Sequence, residues 1–332
     1  MNHTLIIAEA GVNHNGDINI AKQLVDAAKK AGADIVKFQT FDANEITSKY
    51  AEMAEYQKNN IGQVKSQKEM LEELTLTHDE FIQLSDYCSN KDIKFLSTPF
   101  DLPSIHFLDT LGTDLWKIPS GEITNYPYLV EIARTHKDII LSTGMSNLDE
   151  VKEAVSLLKK EGAGKITLLH CTTQYPTPYE DVNLKAMITL KEATGLDIGY
   201  SDHTKGIEIP IAAVSMGATV IEKHFTLDRN MEGPDHKASL EPDELSLMIS
   251  SIRHIEKAMG DGIKSPVKSE KENIAIARKS IVAKKSIKKG DIFTVDNITT
   301  KRPGSGLSPM LWNDIIGTRA IRDFGEDELI EI

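Results

Sequence analysis

DIILSTGMSNLDEVKEAVSLLKKEGAGKITLLHC, residues 138–171, reads as two β-rich runs on either side of an amphipathic helix. DIIL and KITLLH are apolar on both faces, which suits parallel strands covered on both sides. Between them the periodicity of 149–161 predicts a helix, and Gly162 follows it where a left-handed cap is wanted. Strand, helix and a second strand of the same kind make a parallel crossover unit. Outward from this unit the pattern recurs. Strands are predicted at 4–10, 34–40, 94–99, 115–120, 138–143, 165–171, 197–202 and 220–226, with further helices at 18–31 and 207–216. Gly32, Gly112, Gly195 and Gly217 again stand after helical stretches. Eight strand–helix alternations in about 260 residues is the arithmetic of a (β/α)8 or TIM barrel, an α/β fold. A doubly wound open sheet is the competing arrangement.

The second connection breaks the rhythm. Residues 41–68 form a polar insertion, and a loop that long in a compact domain is usually functional. In a barrel it is expected to lie over the catalytic face. Residues 241–259 read as the last barrel helix, with Pro242 in its first turn. The domain division expected is a catalytic barrel over 1–260, a linker over 261–277, and a small, mostly β domain over 278–332. That last piece is too small to be sturdy alone and is expected to dock on something.

Composition narrows the function. The 332 residues are 40% hydrophobic and 27% charged, which excludes a mostly disordered chain. The net charge of −12 argues against a nucleic-acid surface. The N-terminal apolar run stops at Glu9, no run approaches the ~20 residues of a bilayer span, and no leader is recognisable. Two cysteines, Cys88 and Cys171, fit a reducing compartment. A cytoplasmic protein with no membrane partner is the expectation.

In a (β/α)8 barrel, polar residues at the C-terminal strand ends belong to the active site. Here those ends carry Glu9; Lys37 and Gln39; Ser97 and Thr98; Lys117, Ser120 and Glu122; Ser142 and Thr143; His170; Ser201, Asp202 and His203; Lys223 and His224. Each alone has a plain use. A Ser or Thr there caps a helix, a Glu is solvated or paired, and Lys223 packs its stem with its head in water. Eight such ends converging on one mouth point to a site. His203 and His224 end neighbouring strands, and two neutral imidazoles with open positions suit a divalent transition metal used as a Lewis acid. The alternative is one ligand or donor and one buried, satisfied histidine. Lys37, Lys117 and the hydroxyls can hold a phosphate or carboxylate. A Schiff-base lysine is the rival use of Lys117 or Lys223.

The strand-end motifs IAEAGVNHNG (7–16), KFQT (37–40), STPF (97–100), WKIPSGE (116–122), LSTGM (141–145), LHCTTQYPTPYEDVNL (169–184), GYSDHT (199–204), IEKHFT (221–226), GPDHKASLEP (233–242) and KRPGSG (301–306) resemble the sialic acid synthase family. These are the bacterial N-acetylneuraminate, legionaminate and pseudaminate synthases. The motifs run in order along essentially the whole chain. The tail resembles the antifreeze-like SAF domain, a β-clip scaffold, that such enzymes carry after the barrel; a shared scaffold does not imply ice binding.

The resemblance implies condensation of phosphoenolpyruvate with an open-chain N-acylated mannose-type sugar, giving a nine-carbon 2-keto acid and phosphate. It implies N-acetylmannosamine first, as in an N-acetylneuraminate synthase. The alternative is 2,4-diacetamido-2,4,6-trideoxymannose, as in a legionaminate synthase. It implies His203 and His224 as ligands of a divalent metal, commonly Mn²⁺, with Mg²⁺ or Co²⁺ as other choices. Thr98, Lys117, Ser120, Ser142 and Ser201 would hold phosphoenolpyruvate. Thr173 stands where some members have an asparagine, and offers one hydroxyl in place of an amide. Glu9, Gln39, Tyr175 and Asp235 would grip the sugar. Glu122 and Glu9 would stabilise developing charge and activate water, beside Lys117. Arg302 would reach the N-acyl group in a partner's barrel, which requires a domain-swapped homodimer.

Other classes compete. A related synthase using a sugar phosphate needs a second phosphate site, and the barrel arginines Arg134, Arg229 and Arg253 are not among the strand-end residues. A Schiff-base aldolase is unnecessary when the nucleophile arrives as an enol. A binding module with a relic barrel has no physical need for so polar a mouth.

Overall fold

A computed structural model describes residues 3–48 and 66–332. It divides into two compact units, Met1–Gly260 and Asp261–Ile332.

The first unit holds eight parallel strands: β1 (Leu5–Gly11), β2 (Ile35–Thr40), β3 (Lys94–Pro99), β4 (Leu115–Ile118), β5 (Asp138–Ser142), β6 (Ile166–Cys171), β7 (Asp197–Asp202) and β8 (Val220–His224). Their ladder runs β3-β2-β1-β8-β7-β6-β5-β4, so first and last strands pair as a barrel requires, and β3 and β4 lie side by side at the seam. The helices are α1 (Ile18–Ala31), α2 (Ala43–Ile46), α3 (Gln67–Glu73), α4 (His78–Asn90), α5 (Leu102–Thr110), α6 (Tyr126–Ala133), α7 (Leu148–Lys160), α8 (Lys185–Thr194), α9 (Glu208–Ser215) and α10 (Pro242–Ala258). In α7, Asn147 accepts from the backbone N–H of Asp149 and Glu150, while the Glu150 carboxylate reaches back to the Asn147 N–H. Its buried residues Val151, Ala154, Val155 and Leu158 form one stripe against the sheet. The five glycines after helices all have left-handed backbone.

Strand alternation builds two layers of core. Outward residues such as Ile6, Ala8, Val36, Ile139 and Leu168 pack on the helices. Inward residues Ile7, Ile35, Leu96, Ile140, Leu169 and Val220 meet inside the barrel as an apolar floor. Gly199 belongs to this layer: a Cβ there would stand 2.3 Å from the Val220 carbonyl oxygen and 2.6 Å from Leu169 Cδ2, so its bareness makes room for Leu169.

Of the 41–68 insertion, α2 and the start of α3 are described, and residues 49–65 lie outside the described residues. Its expected position over the catalytic face is met by the described part only, since Ile46, Thr47 and Gln67 line the barrel cavity. Within the expected linker over 261–277, Lys268–Ala277 forms a helix, α11. None of its residues is buried, which is why its stripe was weak in the sequence. The rest of the second unit pairs β9 (Ser280–Ala283) antiparallel with β10 (Ile298–Lys301) and closes on Ile281, Phe293, Ile298, Ile315 and Phe324. Among the described residues no helix is long and apolar enough to cross a membrane. Cys88 and Cys171 are free and buried.

Candidate active site

Two residues above the floor, each strand turns an inward residue toward one cavity of about 390 Å³ at the C-terminal end of the barrel. These residues are Glu9, Lys37, Thr98, Lys117, Ser142, Cys171, Ser201 and Glu222. They follow the floor residues Ile7, Ile35, Leu96, Leu115, Ile140, Leu169, Gly199 and Val220 by two, as the pleat dictates. One step higher come Gln39, Thr173, His203 and His224, and the loops add Ser120, Glu122, Tyr175 and Asp235. Of the residues to which the resemblance assigns a role, all but Arg302 line this cavity. Arg302 lies in the second unit, exposed, its Nε donating to the Ala277 carbonyl at 3.1 Å.

Parity also removes candidates. Ser97, His170, Asp202 and Lys223 face the helices. Ser97 Oγ lies 2.7 Å from Thr40 Oγ1, and His170 Nε2 lies 2.8 Å from the Val182 carbonyl. Lys223 does not place its head in water. It is fully buried and donates to Asp202 Oδ2 and the Thr204 carbonyl, while Thr204 donates its N–H and hydroxyl to Asp202. This clasp joins the ends of β7 and β8 one residue before each histidine. Thr143 turns its hydroxyl to the Leu169 carbonyl.

Glu222 was missed, although IEKH places it two residues before His224 and hence on the same face. It sits at the centre of the charge pattern. Lys37 Nζ lies 2.9 Å from Glu9 Oε2, 3.1 Å from Glu222 Oε1 and 2.9 Å from Thr98 Oγ1. Lys117 Nζ lies 3.4 Å from Glu222 Oε2, which also accepts from Ser201 Oγ at 2.7 Å. Burial disfavours every charge here, so neighbours decide. For Glu222 the charges of Lys117 and Lys37 outweigh burial and hold the carboxyl well below the usual range. Lys37, against burial, is raised by Glu222 and Glu9. Lys117 is lowered by burial, which Glu222 offsets only in part. Glu9 is raised by burial despite Lys37, and Gln39 Nε2 donates to its Oε1 at 2.9 Å. Burial, with Glu9 nearby, pushes the Asp235 carboxyl up to about 7. Glu122, half-buried, is raised by burial and accepts from Asn125 Nδ2 at 2.6 Å.

Local backbone serves the site. The ladder between β1 and β2 shifts register between Glu9 and Gly11, a bulge of the kind that re-aims side chains beside active sites. Gly11 has φ +53°, and a Cβ there would stand 3.2 Å from Gln39 Nε2 and 3.4 Å from Glu9 Oε1. The bare face of its Cα thus meets the same pair that β1 and β2 bring together.

His203 and His224 come together as expected, with ring centroids 5.6 Å apart. His203 Nδ1 lies 2.6 Å from the Thr172 carbonyl, a contact that requires the proton on Nδ1 and leaves a lone pair on Nε2. His224 Nδ1 is buried without a hydrogen-bond partner. Burial lowers both imidazoles, and for His224 the neighbouring His203 adds to it. Two neutral imidazoles, one with an orphaned nitrogen, are a fitting donor pair for a divalent ion. Among the described residues no group of three His, Cys, Asp or Glu could hold a metal, so the other positions of such an ion would be filled by water or substrate oxygen. Tyr175 packs against His203 with the rings tilted by 36° and centroids 4.1 Å apart.

Cys171 was also missed as a cavity residue. Its Sγ lies 3.1 Å from Ser120 Oγ, which accepts from the Gly144 N–H at 2.9 Å. Thr173 brings its methyl group to the same glycine. Ser142 Oγ is buried without a partner, a donor that no protein group uses.

Comparison with known proteins places the chain in a family. The model of the NeuB family matches residues 24–264, and that of the SAF domain matches residues 278–331. The chain is 57% identical over 335 residues to the N,N'-diacetyllegionaminic acid synthase of Campylobacter jejuni, covering 99% of both proteins. It is 48% identical to the N,N'-diacetyllegionaminic acid synthase of Legionella pneumophila, covering 95% of this chain and 89% of that protein. Among solved structures it resembles the N-acetylneuraminic acid synthetase of Leptospira borgpetersenii, 38% identical, with a TM-score of 0.72 over 82% of this chain and 90% of that one.

Proposed function

The chain belongs to the NeuB family, and on that premise we propose that it condenses phosphoenolpyruvate with 2,4-diacetamido-2,4,6-trideoxymannose. The products are a nine-carbon 2-keto sugar acid and phosphate. The coarser statement, a NeuB-type sugar-acid synthase, rests on family membership. The choice of sugar differs from the first expectation, N-acetylmannosamine. It is supported by 57% and 48% identity to proteins named as legionaminic acid synthases, against 38% to the neuraminic acid synthetase.

The observation that carries the reading is an anion cradle built beside an imidazole pair. Lys37, Lys117 and the hydroxyls of Thr98, Ser120, Ser142 and Ser201 surround one cavity, and the Ser142 hydroxyl has no partner of its own. An incoming phosphate and carboxylate would satisfy it and would favour the charged form of Lys117. A divalent cation held by His203 and His224 would supply Lewis-acid polarisation of the sugar's aldehyde oxygen. Glu9, Gln39, Tyr175 and Asp235 would position the sugar, Asp235 in its neutral form able to donate as well as accept. C3 of phosphoenolpyruvate then bonds to the aldehyde carbon, water adds at C2, and the C2–O bond to phosphate breaks. One water proton ends on the new hydroxyl and the other on the departing phosphate. Glu122 is proposed to position and deprotonate that water, since burial raises its carboxyl toward the range of a useful base. Glu122→Gln is expected to lower kcat by about 10²–10⁴-fold with the melting temperature unchanged. Near-wild-type turnover would remove Glu122 from this role.

Phosphate release from phosphoenolpyruvate in the presence of Mn²⁺ tests the whole. The trideoxy sugar is expected to give the higher kcat/KM, and a chelator to stop release. Preference for N-acetylmannosamine would make the chain an N-acetylneuraminate synthase. Release with neither sugar would overturn the substrate assignment.

A further inference from the structure

One side of the cavity is unlike the rest. Val12, Ile46, Met70, Leu71, Leu74 and Phe100 line it as a continuous apolar wall. The wall rests on buried Phe41, whose ring meets Phe100 edge-on with centroids 6.3 Å apart. It starts at Val12, directly after Gly11 and so beside Gln39 and Glu9, and rises through α2 and α3. The cradle on the barrel strands has no use for such a surface, since phosphoenolpyruvate is anionic at both ends. The wall therefore faces the other substrate.

We propose that this wall selects a sugar that carries methyl groups where N-acetylmannosamine carries hydroxyls. The inference rests on the function proposed above and names the part of the site that chooses the sugar. Against these six side chains a hydroxyl at C4 or C6 finds no strong hydrogen-bond partner, and a buried hydroxyl left unpaired is disfavoured. A C6 methyl and the methyl of a C4 acetamido group bury apolar surface on the same atoms instead. At the edge of the wall Gln67 also lines the cavity, and its amide offers the donor and the acceptor that an acetamido group complements. Each methyl recognised in an apolar pocket discriminates by about 10–200-fold.

The test is kcat/KM with Mn²⁺ and saturating phosphoenolpyruvate for N-acetylmannosamine, its 6-deoxy analogue and 2,4-diacetamido-2,4,6-trideoxymannose. Wild type, Leu71→Gln and Ile46→Asn are compared; both positions are only half-buried and tolerate a polar replacement best. In wild type each step along the series is expected to gain about 10-fold or more. Both variants are expected to compress the ratio of last to first sugar by about 10-fold or more, with KM for phosphoenolpyruvate unchanged. A wild type that prefers the trideoxy sugar, with variants that fold and keep its full ratio, would overturn the wall as the selector. Should a variant fail to fold, the wild-type series still decides, since no gain on removing the C6 hydroxyl overturns the proposal. Phosphate release with none of the three sugars would instead overturn the function on which it rests.

Discussion

Lys223→Met is expected to destabilise the barrel by about 3–5 kcal/mol, the usual result of removing one partner from a buried ion pair. Asp202 and Lys223 are both fully buried, so neither charge can turn to solvent when the other is lost. The Thr204 N–H and hydroxyl still bond Asp202 in the variant, but two neutral donors do not replace an ammonium. Urea unfolding followed by Trp116 fluorescence in a Trp312→Phe background reports on the barrel unit, since Trp116 is buried there and Trp312 belongs to the second unit. The double variant Asp202→Leu/Lys223→Met should recover most of the loss, because it leaves no buried charge unpaired. A single variant costing less than about 1 kcal/mol would show that the clasp is not a buried ion pair in solution.

Glu222→Gln is expected to lower phosphate release by about 10²–10³-fold, the magnitude typical of losing one preorganised electrostatic group. The amide keeps the size of the side chain but removes the charge that offsets burial at Lys117 and holds Lys37 charged. Lys117 already lies below the ordinary lysine range. Without Glu222 it falls further, so a smaller fraction of the enzyme carries the cation that the anionic substrate needs. The alkaline fall of log kcat/KM should therefore move to lower pH in the variant, and lowering the pH should restore part of the activity. An unchanged alkaline limb would mean that Lys117 does not titrate against Glu222.

Much of this was legible before any coordinates. The eight strands follow from their apolar runs, and the helix after 138–143 from a stripe and the glycine that follows it. The site was legible in outline, because barrel topology sends C-terminal strand ends to one mouth. What the linear reading blurred is which of two adjacent polar residues faces the mouth. Ser97 and Thr98, Asp202 and His203, Lys223 and His224 are neighbours in the chain and opposites in the barrel. The floor residues settle the matter, since Val220, Glu222 and His224 share a face, but that reading needs the register of all eight strands at once. The apolar wall had no signature either, because Val12, Ile46, Met70 and Phe100 come from separate segments. The helix over Lys268–Ala277 buries no residue, so no apolar stripe announced it.

The same alternation sets what kind of change the barrel strands can accept. Exchanging one side chain alters one contact. Deleting Val220 from β8 would turn the rest of the strand over, sending Glu222 and His224 into the helix layer while Ile221 takes the floor position and Lys223 swings into the cavity. Strand length is thus fixed by the chemistry, while the connections over the mouth are free to lengthen or shorten. Family members adapting to new sugars would be expected to differ by insertions in those connections and by substitutions in the strands.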